Sequence, residues 1–113
     1  MQAAIENVQF STTFNTVNTI DYLLKKVETS DAKLRNEIEN KIVSLGQAAV
    51  ADLVRNLVDA KGVKRSVVAM SLIRIGSASI QALKNELLYD NENNWVIRYV
   101  INEIQGSNEA LAV

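Results

Sequence analysis

The sequence predicts an all-α protein in which helix pairs stack into a short α-α superhelix. Apolar residues recur at steps of three and four through most of the chain, which is the spacing of one helix face. The same pattern then returns after thirty residues. Proline is absent, so no helix loses a backbone donor, and 113 residues, 48% of them hydrophobic, suffice for one domain with a sizeable core.

The repeat is clearest where residues 43–57 are compared with residues 73–87. The segment VSLGQAAVADLVRNL is followed thirty residues later by IRIGSASIQALKNEL. One helix pair cannot bury its apolar face alone, whereas stacked pairs bury each other's faces in a continuous core. The repeat therefore predicts equivalent helix pairs placed side by side. The identical positions are Gly46 and Gly76, Ala48 and Ala78, Leu53 and Leu83, and Leu57 and Leu87.

Each complete unit is predicted to contain a first helix, a glycine corner and a second helix. Gly46 and Gly76 end the first helices, because glycine enters the left-handed conformation without a steric cost. Ser77 and Ser79 stand where an N-cap of the following helix is expected. In the first unit, the apolar residues that mark the two helices are Leu34, Ile38, Ile42 and Leu45, and then Val50, Leu53, Val54 and Leu57.

We expect the single domain to comprise a degenerate N-terminal unit (1–30), two repeats (31–60 and 61–91) and a truncated final unit (92–113). Residues 15–29 match a second helix, and residues 1–14 are interpreted as a short helix or an extended arm. In the final unit, aligning Arg98 with Arg65 requires an offset of thirty-three residues, which lengthens the preceding linker.

The last helix carries a wide apolar stripe, and Gly106 follows it. No second helix comes after it to cover part of that stripe. We therefore expect either that the tail EALAV folds back as a cap or that the C-terminal helix pairs with another chain in a homo-oligomer. The stripe consists of Val96, Ile97, Val100, Ile101 and Ile104.

Two segments, LGQAAVADLVRNL and IGSASIQALKNEL, resemble the second helix of short HEAT-like repeats, of the kind also seen in phycobilisome lyase-type proteins. The segment RSVVAMSLIRIG is similar to the first helix, with its leading Arg65 and closing Gly76. The resemblance covers residues 31–106, although Ala51 and Gln81 stand where the family often has proline. It implies a short α-solenoid that acts as a scaffold. The lyase-type relatives imply an alternative, which is chromophore or cofactor handling or a place as accessory subunit in a larger enzyme complex.

Composition argues against several functions. Histidine and cysteine are absent, which removes the usual acid–base residue, the commonest metal ligand and any thiolate, so we expect no enzyme activity and no cofactor. A formal net charge of −1 offers no long-range attraction to a phosphate backbone, so nucleic acid is disfavoured as a partner. The chain shows neither a long apolar run nor a basic and apolar leader, which predicts a cytoplasmic protein that does not insert into a membrane.

The polar face of the second helices, with two aromatic residues beyond it, is the predicted surface for another protein, because solenoids bind partners on the concave surface that their inner helices line. The face is equally compatible with a solvated surface that has no dedicated partner. Its mixture of charges and amides implies no ligand of a single sign. The candidate residues are Gln47, Asp52, Arg55, Asn56, Gln81, Lys84, Asn85, Tyr89 and Trp95.

Three other features each allow two interpretations. Arg35, Arg65 and Arg98 form a ladder that would bind an acidic strip, or would hold successive units together through acids and carbonyls. Trp95 would act at an interface or pack over the neighbouring helix pair. The cluster of Lys61, Lys64 and Arg65 would contact phosphate or simply be solvated.

Overall fold

The computed structural model describes the backbone of residues 12–112 and the side chains of residues 19–106. Within that backbone all regular structure is helical and no strand is formed, which confirms the all-α prediction. Two four-residue 3₁₀ turns, Gly46–Ala49 and Gly76–Ser79, interrupt the α-helices. The α-helices are α1 (Thr12–Val27), α2 (Ala32–Ser44), α3 (Val50–Asp59), α4 (Gly62–Ile75), α5 (Ile80–Glu86) and α6 (Asn94–Ala112). Residues 1–11 of the predicted N-terminal helix or arm lie outside the described residues.

Local hydrogen bonds set the connection between α1 and α2. Asp31 caps α2, because its Oδ1 accepts the backbone N–H of Leu34 at 2.8 Å. At the end of α1, the hydroxyl of Ser30 donates to the carbonyl of Val27 at 2.7 Å. Nη1 of Arg35 then donates to the carbonyl of Ser30 at 2.9 Å. The two helices are thus joined by a turn that satisfies its own polar groups.

Gly46 and Gly76 stand at matching places in the chain, and each begins a 3₁₀ turn that leads into the next helix. Gly46 has a φ of +60° and Gly76 a φ of +86°. With its ψ of −143°, Gly76 lies outside the left-handed helical region, in backbone space that suits glycine alone. Ser79 occupies the N-cap position of α5, as expected, but its hydroxyl does not cap the helix and instead donates to the buried carbonyl of Leu72 at 3.2 Å. Ser77 lies within the 3₁₀ turn and does not cap a helix.

The helices contact one another in an ordered way. Among the even-numbered helices, α2 packs on α4 and α4 on α6; among the odd-numbered ones, α1 packs on α3 and α3 on α5. Each odd helix also packs along the even helix that follows it. By contrast, α2 makes few contacts with α3 and packs instead on the 3₁₀ turn 46–49 that joins the two helices. The closely packed hairpins are therefore α1–α2, α3–α4 and α5–α6, and the molecule measures 51 × 32 × 28 Å.

One continuous apolar core runs between these helices. Its largest fully buried side chains come from every described helix and sit at the repeated apolar positions. They are Ile20, Leu24, Val27, Ile42, Leu53, Leu57, Val68, Leu72, Leu83, Ile97 and Val100.

The C-terminal helix departs from the expected truncated unit. Its backbone continues as one helix through Ala112, so Gly106 does not end it and residues 107–112 do not fold back as a cap. The five stripe residues from Val96 to Ile104 are all buried within this one chain, where α6 contacts α3, α4 and α5. The premise that this stripe needs a cap or a second chain is therefore wrong, because earlier helices already cover it.

The segment Gly62–Glu86 contains an 18-residue window with a mean hydropathy of 1.4, so it meets the length and composition of a membrane span. Its apolar residues have another role here. Val68, Leu72 and Leu83 are fully buried in the core, and the backbone bends at Gly76 between α4 and α5. The hydropathy of this segment is thus accounted for by two core helices.

Candidate functional site

A groove of about 360 Å³ lies between α3 and α5, the second helices of the two repeats. We call it the α3–α5 groove. Its sides contain four small aliphatic residues and four polar ones, so an occupant would meet both apolar surface and hydrogen-bonding groups. The aliphatic residues are Ala51, Val54, Val58 and Ala82, and the polar residues are Arg55, Asp59, Asn85 and Glu86.

The thirty-residue repeat explains why two helices flank the groove in this way. Leu53 on α3 and Leu83 on α5 are equivalent in the repeat, and both are fully buried. Each leucine therefore turns the same face of its helix towards the core, which leaves the opposite edges facing one another across the groove. Alanine at positions 51 and 82 leaves room there, because a methyl group fills little space.

Arg55 is the most connected polar residue of the groove. Its Nη1 lies 2.8 Å from Oδ1 of Asp52, and its Nη2 lies 3.8 Å from Oδ1 of Asp21 on α1. Nδ2 of Asn56 donates to the backbone carbonyl of Asp52 at 2.8 Å. Three predicted site residues thus form one cluster, and this cluster joins α3 to α1.

Asp52 has a different place from the one predicted. It was expected on the exposed polar face, but it is 5% exposed. The carboxylate tolerates burial because the guanidinium of Arg55 supplies a charge-assisted hydrogen bond. Asp52 therefore positions Arg55 and is not itself available to a partner.

The other predicted residues of the second helices lie in solvent. Gln47 and Lys84 are exposed. Nε2 of Gln81 donates to Oδ1 of Asn85 at 3.0 Å, so these two amides form a pair one turn apart on α5. Of the nine predicted residues, only Arg55 and Asn85 line the α3–α5 groove.

Trp95 and Tyr89 do not line the groove. Trp95 is on α6, and the guanidinium of Arg65, on α4, lies 5.3 Å from the centre of its ring. Tyr89 is in the loop before α6, and its backbone carbonyl accepts a hydrogen bond from Nδ2 of Asn94 at 2.9 Å. The predicted site is thus divided between two regions of the surface.

The arginine ladder does not form a set of equivalent positions. Arg35 bonds the carbonyl of Ser30, Arg65 lies over Trp95, and Arg98 is exposed. The reason is a difference in register. The buried residues Val67, Val68 and Leu72 of α4 match Val96, Ile97 and Ile101 of α6 at a step of 29 residues, not thirty-three. Arg98 therefore stands one turn beyond the place that corresponds to Arg65.

Sequence reasoning missed the groove's small aliphatic residues and one residue near it. Val54 matches the apolar helix pattern and was interpreted as core, whereas Val58 was not singled out. The alanines at 51 and 82 carried the only local signal of open space. Asn93, in the loop before α6, donates from Nδ2 to the carbonyl of Val58 at 2.6 Å. No helical periodicity covers that loop, so only the folded chain brings it to the end of α3.

The groove's chemistry suits recognition. Arg55 supplies a positive charge, Asp59 and Glu86 supply negative ones, and Asn85 both donates and accepts. Among the described residues, no group of three or more potential ligands is arranged to hold a metal ion.

No protein-family model, curated protein or solved structure matches this chain.

Proposed function

We propose that this chain is a non-catalytic protein-interaction module, built as a short HEAT-like stack, and that it binds a segment of a partner protein in the α3–α5 groove. The observation that carries the proposal is the groove itself. Two repeat-equivalent helices line it with four aliphatic side chains and with charged side chains of both signs. Protein interfaces combine these features, with an apolar centre and a polar rim.

The order of helix contacts supports the stack. Even-numbered helices follow one another along one side, odd-numbered helices along the other, and the molecule is longest in one direction. A chain of repeats in which each unit contacts its neighbours has this pattern. The 3₁₀ turns at equivalent glycines give the two repeats the same internal bend.

The groove's dimensions and chemistry favour a peptide segment with small or medium aliphatic side chains and at least one charged residue. Val54 and Val58 offer apolar contact, and Arg55 and Glu86 lie at the edges to pair with charges of opposite sign. A bilin or another flat chromophore would favour a largely apolar pocket that covers most of its surface, whereas this groove is open and half polar.

Two variants, each with one alanine replaced by arginine, test the groove. Ala51 and Ala48 are both exposed, but only Ala51 lines the groove. The Ala51→Arg variant places a long side chain in the groove, while Ala48→Arg adds the same charge on the 3₁₀ turn. Partners would be captured from the native cell with wild-type protein and with each variant, and cross-linked residues would be identified by mass spectrometry.

We expect a partner to be retained by wild type and by Ala48→Arg, to be lost with Ala51→Arg, and to cross-link near α3 and α5. Retention of every partner by Ala51→Arg, with circular dichroism showing that the variant is folded, would refute the groove as the binding site. Cofactor absorbance that copurifies with the wild-type protein would favour the chromophore alternative instead.

A further inference from the structure

Two large aromatic side chains lie in solvent near the beginning of α6. Trp95 is 58% exposed and Tyr99 is 51% exposed. They are four residues apart, so they are neighbours on one face of the helix. The core stripe of α6 does not include them, since Val96, Ile97 and Val100 point into the protein. Aromatic residues of this size are among the commonest energetic centres of protein interfaces.

The Trp95 ring is held in a defined place. The guanidinium of Arg65, on α4, lies 5.3 Å from the ring centre, which is the distance of a cation–π contact. Arg65 is half-buried, so its side chain is restrained by the helices around it. A ring and a guanidinium that are already positioned lose less conformational freedom when a partner binds.

Further positively charged residues lie close to this pair along the two helices. Lys61 and Lys64 precede Arg65 at the beginning of α4, and Arg98 stands one turn after Trp95 on α6. Across the described side chains, the ion pairs within 4.0 Å involve Arg55 and Arg74 and none of these four cations. Both helices also begin here, so their positive dipole ends add to the local potential.

We propose that this aromatic-basic surface binds an acidic segment of a partner protein, with a large apolar side chain of that segment packed on Trp95 and Tyr99. The surface consists of Lys61, Lys64, Arg65, Trp95, Arg98 and Tyr99. It shares no residue with the α3–α5 groove, so it is a second binding surface, beyond the proposed function. The partner is identified by complementarity, because four cations without a described carboxylate partner favour carboxylates.

A peptide is favoured over nucleic acid by the charge of the whole chain. The formal net charge is −1, so a long polyanion meets repulsion away from this surface. A short acidic segment extends over less of the chain's surface than a long polyanion does. Its apolar side chain would remove Trp95 and Tyr99 from water, which a phosphate backbone would not do.

The chain carries one tryptophan, so the fluorescence of Trp95 reports directly on this surface. The full-length protein would be titrated with a synthetic peptide of glutamates around one central phenylalanine. We expect the emission of Trp95 to shift and saturate, and the affinity to fall as salt is raised, because exposed charges are screened. The same peptide with glutamine in place of glutamate should produce a shift only at much higher concentration.

Variants that keep Trp95 test the partners of the ring. Arg65→Gln combined with Arg98→Gln should weaken binding about tenfold or more. Tyr99→Ala should weaken it by several-fold. Lys84→Gln removes one exposed cation from α5, a helix that contributes no residue to this surface, and should leave the affinity unchanged. Ala51→Arg should also bind the peptide normally, which separates this surface from the groove.

Three outcomes would overturn the proposal. The first is an unchanged Trp95 emission at every concentration of the acidic peptide. The second is equal binding of the acidic and the glutamine peptides, which would remove the role of charge. The third is tighter binding of a single-stranded oligonucleotide than of the peptide, which would assign the surface to nucleic acid.

Discussion

Arg55 reaches across one turn of α3 to Asp52, and its Nη1 lies 2.8 Å from Oδ1 of that carboxylate. Asp52 is buried, whereas the side chain of Arg55 is 57% exposed. A longer contact of 3.8 Å joins the same guanidinium to Asp21, which is also exposed. The two contacts therefore differ in how strongly water screens them.

We expect Asp52 and Arg55 to couple more strongly than Asp21 and Arg55. Asp52→Ala should lower the free energy of unfolding by about 1–2 kcal/mol, because it removes a charge-assisted hydrogen bond at a buried position. Asp21→Ala should cost about 0–0.5 kcal/mol, as exposed ion pairs do. Double-mutant cycles with Arg55→Ala, measured by urea denaturation, compare the two. Equal coupling energies would contradict this assignment.

Two fully buried serines should respond in opposite directions to loss of the hydroxyl. The hydroxyl of Ser79 donates to the carbonyl of Leu72, while the buried hydroxyl of Ser71 has no hydrogen-bond partner among the described side chains and backbone. Ser79→Ala should therefore lower the free energy of unfolding by about 1 kcal/mol. Ser71→Ala should raise it by about 1 kcal/mol, because an unsatisfied polar group is removed from the core and alanine favours the helix. Thermal and urea unfolding of both variants provide the comparison, and a destabilised Ser71→Ala would show that its hydroxyl is satisfied in solution.

The glycines at the two corners should be sensitive to alanine, and Gly106 should not. Apart from chain neighbours and the helix's own backbone, no atom of the described residues lies within 4 Å of a Cβ built at any of these positions, so the backbone conformation decides the outcome. Gly46→Ala should cost about 1 kcal/mol and Gly76→Ala about 2–3 kcal/mol, since the φ and ψ of Gly76 are less accessible to a side chain. Gly106 lies within α6 without a positive φ, so Gly106→Ala should stabilise the protein by about 0.5–1 kcal/mol. Denaturation midpoints of the three variants check this order, which a similar loss at all three glycines would contradict.

The proposed stack predicts that the chain accepts an additional unit. A second copy of residues 46–75, one full period, would be inserted directly after residue 75. In a linear stack the new unit buries its apolar face between its neighbours, so helical content should rise in proportion and the unfolding midpoint should increase. A scrambled insert of the same composition is the control. Circular dichroism and denaturation decide the matter, and a duplicated chain that unfolds at a lower midpoint would argue for a closed bundle.

Which side of each helix is buried was determined by the sequence alone. Ile42, Leu53 and Leu83 are core residues because their spacing places them on one face, and this relation depends only on the geometry of a single helix. Positive φ at Gly46 and Gly76 follows from the same local logic. Local spacing also predicted the stripe on α6, whose five residues from Val96 to Ile104 are all buried.

What covers each face, and which edges meet, was decided by the tertiary structure. The stripe of α6 was expected to require a cap or a second chain, but α3, α4 and α5 already bury it. Asp52 was expected in solvent, but the packing of α3 buries it beneath Arg55. Arg65 on α4 contacts Trp95 on α6, which is distant in sequence. The α3–α5 groove likewise exists only because the edges of two helices lie close together. Helical periodicity specifies the direction of a side chain around its own axis, whereas the distance between two axes depends on every side chain packed between them.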